Sequence, residues 1–390
     1  MKSVVKLSQI AALFLALSVP SLTFAQQYTQ TNLVSNLSTL APTNDQNLKN
    51  AWGLSRSTGS PWWVSDNGTG LSTLYNITGT TSTLAATINP RVVVIPPPNG
   101  STSPSSPTGT VFNGSTDFAL APGKPALFLF ATEDGTISGW NPGVDPAHPN
   151  NAILKVDNSP DAVYKGVTTG DVNGVRYIYV ANFRSGHVEV YDTNFKRVQL
   201  SHERDGDMER EGDRHGDSSE ESFNDERIPQ GYAPFNVQNI GGSLFVAYAK
   251  QNAAKHDDVA GEGFGFVDIF STSGRLESRL QNGPWFNSPW GVVWAPRDFG
   301  EFSNRVLVGN FGNGQIAAFN GFDGKFIGMM KNSADNTTLT IDGLWALAFG
   351  NSAGAGPYNA LFFTAGPNGE ADGLFGALTA VASEQDGDEE

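Results

Sequence analysis

Residues 305–330 read RVLVGNFGNGQIAAFNGFDGKFIGMM and contain three short apolar runs separated by Asn- and Gly-rich turns. The runs are rich in β-branched and aromatic residues, and the turns consist of residues that close hairpins. A Trp-led segment, PWGVVWA at residues 289–295, comes just before them. These segments predict one four-stranded antiparallel sheet.

The same order of segments recurs six times along the chain. Each leading segment is followed by an apolar run that ends in Asn, Asp or Gly, by an aromatic-containing strand and usually by a short fourth strand. The leading segments begin at Ala51, Asp117, Gly166, Pro234, Pro289 and Gly343. Repeated units of this kind are typical of sheets stacked around an axis. We therefore predict an all-β, six-bladed β-propeller with four-stranded blades, in preference to a parallel β-helix.

The two ends of the repeat region predict how the ring closes. The sixth repeat has no obvious fourth strand, and YTQTNLVSN at residues 28–36 precedes the first repeat without a partner. We expect this N-terminal strand to complete the last blade, because closure removes the open sheet edges that invite aggregation. Trp52, Trp290 and Trp345 lie in leading segments, where they would fill the centre of the ring or offer an aromatic platform to a sugar.

The first 25 residues have the features of a signal peptide. Lys2 and Lys6 precede an apolar stretch at residues 10–19, and Thr23-Phe24-Ala25 forms a small-x-small cleavage site. This predicts a secreted or periplasmic protein with one propeller domain at residues 26–382, followed by an acidic tail at 383–390. We expect a monomer without a membrane span in the mature chain. The absence of cysteine excludes disulfides and thiol catalysis.

The formal charge of −15 is concentrated in two places. Residues 201–228 carry −7 and residues 383–390 carry −5, so clustered bases that could neutralise nucleic-acid phosphates are missing. The acidic insert at 201–228 is predicted to be disordered, and residues 94–110 form a Pro- and Ser-rich loop. Together with an enlarged turn that starts at Ala249, these insertions are expected to share one face of the ring. Long loops on a rigid scaffold commonly bind ligands.

Candidate ligand-binding residues come from the turns on that face and from the cluster KHDD at residues 255–258. Turn formation or solvation of an exposed loop accounts for the same residue types without a ligand. The candidates are Asp66, Asn67, Asp134, Asn182, Arg184, Lys255, His256, Asp257, Asp258, Asn310 and Asp342.

Two functional hypotheses remain open from the sequence. The first is a binding or scaffold module for a polysaccharide, peptide or protein outside the cytoplasm, with no cofactor. The second is a hydrolase or lyase of the lactonase kind, with Ca²⁺ or another divalent cation in the central tunnel. The second requires inward acids and amides to converge, for which the candidates are Asp66, Asn182, Asn236, Asn310 and Asp342. No Gly-x-Ser-x-Gly, Walker, dinucleotide or His-Glu-x-x-His motif occurs.

Several longer segments carry a resemblance to a known family. GYAPFNVQNIGGSLFVAYAKQ from Gly231, NSPWGVVWAP from Asn287 and IDGLWALAFGN from Ile341 resemble an uncharacterised family of exported bacterial proteins. The resemblance implies a six-bladed propeller related to NHL-repeat proteins and an export route, but no catalytic residues. Some members end in a PEP-CTERM sorting signal, whereas this chain ends in SEQDGDEE.

Overall fold

The computed structural model describes residues 27–200 and 222–381. These residues form β-strands joined by turns, with one 3₁₀ turn at Gly300–Phe302. The predicted signal peptide, residues 201–221 of the predicted insert and the acidic tail lie outside the described residues. Within the described part of the chain, no helix is long and apolar enough to span a bilayer.

The first half of the chain forms three blades. It begins with β1 (Gln27–Ser35) and β2 (Thr43–Asn44), and blade one follows with β3 (Ala51–Ser55), β4 (Trp62–Asp66), β5 (Leu71–Thr78) and β6 (Ala85–Val94). The strands around blade two are β7 (Pro107–Phe112), β8 (Ala119–Ala121), β9 (Lys124–Pro125), β10 (Phe128–Thr132), β11 (Thr136–Trp140) and β12 (Ile153–Asp157). Blade three consists of β13 (Tyr164–Val172), β14 (Val175–Asn182), β15 (His187–Tyr191) and β16 (Arg197–Val198).

The second half repeats this arrangement. Blade four consists of β17 (Tyr232–Ile240), β18 (Ser243–Lys250), β19 (Phe266–Ser271) and β20 (Leu276–Arg279). Blade five consists of β21 (Pro289–Trp294), β22 (Val306–Asn310), β23 (Ile316–Phe319) and β24 (Phe326–Met329). The sheet of blade six contains β25 (Lys331–Asn332), β26 (Leu344–Phe349), β27 (Leu361–Ala365) and β28 (Leu374–Ala380). The predicted all-β, six-bladed propeller is confirmed.

Blade six is completed by the N-terminal strand, as predicted. Strand β1 pairs antiparallel with β28, from Tyr28 opposite Ala380 to Ser35 opposite Leu374. Tyr28 is fully buried, and its hydroxyl donates to the Phe299 carbonyl (2.9 Å) and accepts from the Phe302 amide (3.0 Å). The two ends of the chain therefore close the ring through backbone pairing and a buried side chain.

The core lies between the faces of neighbouring blades. Trp62 of blade one packs on Phe362 of blade six with ring centroids 5.2 Å apart. On the other face of the same blade, Trp63 stacks on Phe128 of blade two at 4.0 Å. Adjacent residues of β4 thus point to opposite faces of the sheet, and both faces are covered.

Blade two differs from the sequence prediction. The predicted leading segment at Asp117 does not line the tunnel; Ala119–Ala121 and Lys124–Pro125 instead form a separate two-stranded hairpin. The innermost strand is Pro107–Phe112, which pairs with β10. The predicted Pro- and Ser-rich loop at 94–110 therefore includes the first four residues of this strand, PTGT, which follow a stretch rich in turn-forming residues. The connection is also partly packed, since Ile95 and Ser105 are buried.

The residues that flank the acidic insert do not agree with the expectation that all insertions share one face. Its flanking residues meet where the Ser222 hydroxyl donates to the Leu200 carbonyl, and the Phe223 amide donates to Gly274 (2.8 Å). Gly274 lies in the turn between β19 and β20, at the face opposite the turns that follow each second strand. Phe223 and Asp225 are both buried. Residues 222–228 therefore pack against blade four, and the prediction that the whole segment 201–228 is disordered is wrong for them.

Candidate functional site

Each innermost strand carries one extra residue, which forms a β-bulge at the tunnel axis. In blade three, Tyr164 pairs with Asn182 and Gly166 with Ala181, so Lys165 has no partner of its own. Equivalent shifts occur in the other five innermost strands. The residues at these positions are Trp52, Thr108, Lys165, Phe235, Trp290 and Trp345. A bulge re-aims the side chain it carries, and four of the six form an aromatic plug in the ring.

The plug is tightly packed. The Trp52 and Trp345 rings stack with centroids 3.5 Å apart, and Trp290 lies edge-on to Trp345 at 6.0 Å. The Trp345 indole donates to Asn50 Oδ1 (2.9 Å), and the Trp290 indole donates to the Lys165 carbonyl (3.0 Å). The Trp52 indole nitrogen is buried and has no hydrogen-bond partner within the described ranges. The prediction that these tryptophans fill the ring centre agrees with this packing.

Lys165 introduces a charge into this apolar ring. Its side chain is 2% exposed, and its ammonium lies 5.1 Å from the Trp52 ring centroid and 5.9 Å from that of Phe183. The ammonium donates to Glu133 Oε1 and lies 3.7 Å from Asp257 Oδ1. Aromatic faces attract cations, and carboxylates compensate the cost of burial. Lys165 thus lies between the aromatic rings of Trp52 and Phe183 and the carboxylates of Glu133 and Asp257.

A chain of hydrogen bonds extends from Lys165 across the neighbouring blades. Glu133 Oε2 accepts from Asn67 (2.8 Å), Asn67 Oδ1 accepts from Asn50 (3.2 Å), and the same Asn50 amide donates to Glu370 (2.6 Å). These residues come from blades two, one and six. We call this end of the tunnel the axial mouth, formed by Asn50, Asn67, Glu133, Lys165, His256, Asp257, Asp258 and Glu370.

Blade four supplies the remaining side of the mouth through its enlarged turn. His256 Nδ1 lies 2.7 Å from Asp257 Oδ1, and the His256 amide donates to Asn252 Oδ1 (3.1 Å). Lys255 is exposed and has a positive φ of 53°, which is typical of a turn residue. The ligand-capable atoms of Glu133, His256 and Asp257 lie within 4.8 Å of one another.

The mouth carries more negative than positive charge. Burial raises the pKa of Glu370, and the nearby charges of Glu133 and Asp258 raise it further. Burial also raises the pKa of Asp258. Burial by itself would raise the pKa of Asp257, but the hydrogen bond from His256 and the charge of Lys165 outweigh this effect and lower the pKa. Four carboxylates therefore face one ammonium, which favours the binding of a cation.

The structure brings some of the predicted residues to the mouth and leaves others in structural roles. Asn67, His256, Asp257 and Asp258 are at the mouth. The others bond mainly to backbone groups of their own or adjoining turns: Asp66 to Thr73, Asp134 to Ser106, Asn182 to Val163, Arg184 to Pro160, Asn310 to Asn287 and Asp342 to Asn368. Asn236, considered for a cation site, donates to the Trp290 carbonyl.

Lys165, Asn50, Glu133 and Glu370 are not among the candidate residues predicted from the sequence. A signal for Lys165 exists in the sequence. The axial bulges read AWG, PTG, YKG, PFN, PWG and LWA, starting at residues 51, 107, 164, 234, 289 and 344. Aligned in this way, a lysine replaces an aromatic residue in the third repeat.

Asp66→Asn tests the structural role of Asp66. Burial raises the pKa of this carboxyl well above its usual range, although Thr73 donates to it. Its stability contribution is therefore full at pH below the unfolded-state pKa of about 4 and is lost as the pH rises through the folded-state value. We expect the variant to raise the melting temperature at pH 8 and to lose that advantage at pH 4.

The matched control for this experiment is Asp335→Asn. Backbone and side-chain hydrogen bonds from Thr337 lower the pKa of that exposed carboxyl, so its removal should be slightly destabilising at pH 8. An equal effect of Asp66→Asn on the melting temperature at both pH values would contradict the assignment.

The fold and the axial mouth define a six-bladed β-propeller with a polar site at one end of its tunnel. The chain is 31% identical over 351 residues to "Uncharacterized protein R648" of Acanthamoeba polyphaga mimivirus, covering 89% of this chain and 78% of the relative. "Uncharacterized protein L690" of the same virus is 29% identical over 350 residues, covering 89% and 84%. The chain belongs to the family of these mimivirus proteins.

Comparison with solved structures supports the fold alone. A glucose dehydrogenase structure superposes with a TM-score of 0.50 at 12% identity, covering 91% of this chain and 100% of that one. No family model matches the chain.

Proposed function

We propose that the chain is an exported binding module that takes its ligand at the axial mouth. The observation that carries this proposal is the chain of polar contacts from Glu370 to Asp257, which gathers residues of five blades around the buried Lys165. A buried ammonium with four carboxylates nearby is costly to assemble for stability alone. The signal-peptide features and the resemblance to exported bacterial propellers support the proposal of a secreted or periplasmic location.

The charge of the mouth indicates the class of ligand. Four carboxyl groups share the mouth with the single ammonium of Lys165. Burial and neighbouring carboxylates raise the pKa of Glu370 and of Asp258, so a ligand that brings positive charge would stabilise their charged forms. We infer that the ligand is a peptide segment or small molecule with an amino or guanidino group, bound through its cationic end.

The test uses two mouth carboxylates that are not part of the Glu133, His256 and Asp257 group. We expect Glu370→Gln combined with Asp258→Asn to weaken the binding of amino-bearing peptides by about tenfold or more, or about 1.4 kcal/mol. The measurement is a binding screen, in EDTA, of synthetic peptides and oligosaccharides with and without amino groups.

The control variant removes the same number of negative charges outside the mouth. Asp323→Asn combined with Asp335→Asn removes two exposed carboxylates that pair locally with Lys325 and Thr337. The proposal predicts unchanged binding in this control. Equal binding by the wild type and the mouth variant would overturn it.

A second candidate is a metal-dependent hydrolase or lyase, which the convergence of Glu133, His256 and Asp257 favours. In such an enzyme Glu133, His256 and Asp257 would hold the ion, which would supply Lewis-acid chemistry at the mouth. Turnover of lactone or ester substrates with added Zn²⁺, Mn²⁺ or Ca²⁺, lost in His256→Gln, would support this candidate over the binding module.

A further inference from the structure

We propose that Glu133, His256 and Asp257 form a divalent-cation site, and that the Lys165 ammonium is the chain's own cation, which the metal displaces. The inference goes beyond the proposed function, because it assigns a metal ion to the mouth in addition to an amino-bearing ligand.

The first support is the geometry of the three side chains. Their ligand-capable atoms are mutually within 4.8 Å, a spread that one ion can span with metal–ligand bonds of about 2.0–2.4 Å. Glu133 comes from blade two, whereas His256 and Asp257 come from blade four, so the group bridges two separate elements. One imidazole with two carboxylates suits Zn²⁺ better than Ca²⁺, which prefers oxygen ligands alone.

The second support is independent of that spacing. Lys165 is 2% exposed, and its ammonium contacts Glu133 Oε1 and lies 3.7 Å from Asp257 Oδ1. Two of the three proposed ligands therefore already lie close to a cation. Glu133 does so at 13% side-chain exposure, where water screens the attraction less than it does at Asp257, which is 60% exposed. The distance to Asp257 exceeds hydrogen-bond length, so this carboxylate is incompletely satisfied by the ammonium.

A third observation concerns what lies below the ammonium. The Trp52 ring is 5.1 Å from Lys165 Nζ, and its indole nitrogen is buried without a hydrogen-bond partner in the described chain. The aromatic ring next to the ammonium therefore carries a buried donor that has no partner among the described residues.

The ammonium and the metal would compete for Glu133 and Asp257, so a variant without the ammonium tests the proposal most directly. Lys165→Met keeps an unbranched apolar side chain next to the rings of Trp52 and Phe183 but removes the charge. It also leaves Glu133 and Asp257 without their internal cation. We expect Zn²⁺ affinity to rise by about tenfold or more in this variant, whereas His256→Gln in either background should lower it by a similar factor.

The experiment is titration calorimetry of the purified chain with ZnCl₂, repeated with CaCl₂. The matched control is His148→Gln, because His148 and Asp145 form an equivalent exposed pair at 2.9 Å but have no third ligand among the described residues. We expect this control to bind Zn²⁺ like the wild type. Urea denaturation of each variant verifies the fold.

The outcomes separate the inference from the proposed function. Equal Zn²⁺ affinity in the wild type and Lys165→Met, no Zn²⁺ binding by either, or equal loss in His256→Gln and His148→Gln would overturn the metal site. If Lys165→Met does not fold, the difference between His256→Gln and His148→Gln in the wild-type background decides. Amino-ligand binding in EDTA that depends on Glu370 and Asp258 would preserve the binding module even when the metal site fails.

Discussion

A chain that begins at residue 36, without β1, is expected to lose its cooperative fold. Tyr28, Leu33 and Val34 of this strand are at most 1% exposed, and burying three such side chains is worth about 5–9 kcal/mol. The net stability of a folded domain is only about 5–15 kcal/mol. The deletion also leaves the seven paired positions of β28 as an open edge, which promotes aggregation. Far-ultraviolet circular dichroism and size-exclusion chromatography measure both effects.

A circular permutant provides the matched control. The Val381 amide lies 3.3 Å from the Gln27 carbonyl, so an Asn-Gly turn can join these residues as a β-hairpin. New termini at Ser222 and Leu200 remove residues 201–221, and the linear chain with the same deletion is the reference. We expect the permutant to be at least as stable as this reference. A stable protein lacking β1 would show that the ring does not need closure.

Gly53→Ala is expected to destabilise the propeller by about 3 kcal/mol or more, the upper end of overpacking effects. A Cβ at this position would lie 2.2 Å from the Thr108 carbonyl oxygen and 2.9 Å from the Thr110 amide nitrogen. Both are backbone atoms of the neighbouring innermost strand, so no side-chain rotation relieves the clash. Blades one and two would have to separate at the axis, which is measured as a lower urea midpoint.

Gly59→Ala is the control for the loss of a glycine itself. No atom outside its chain neighbours lies within 4 Å of a Cβ at Gly59. Its expected stability change is within about 0.5 kcal/mol, as for other surface positions. Similar urea midpoints for the two variants would contradict the close approach of the innermost strands.

The sequence predicted the architecture well because its signals are local. Apolar runs such as YIYVAN at residues 177–182 and the Asn- and Gly-rich turns after them are sufficient to recognise a strand and its hairpin. The innermost strand of blade two was predicted incorrectly. This strand, PTGTVF, follows a Pro- and Ser-rich stretch, whereas DFALA at residues 117–121 has the more apolar pattern but forms an outlying hairpin.

The site could be predicted only in part. The KHDD cluster at residues 255–258 was recognised as a candidate, because it concentrates titratable groups in an enlarged turn. Its partner Glu133 lies more than a hundred residues earlier and resembles any turn residue of a hairpin. Lys165 was overlooked because its neighbours form an ordinary strand, and only the alignment of the six bulges distinguishes it.

The sequence by itself determined the number of blades, the order of their strands and the closure by the first strand, since these follow from short-range patterns of apolar and turn-forming residues. Tertiary structure alone decided which charges meet at the axis. Glu133, Lys165, Asp257 and Glu370 are brought together by bulges and by the curvature of a closed ring, and both depend on contacts between blades that are distant along the chain.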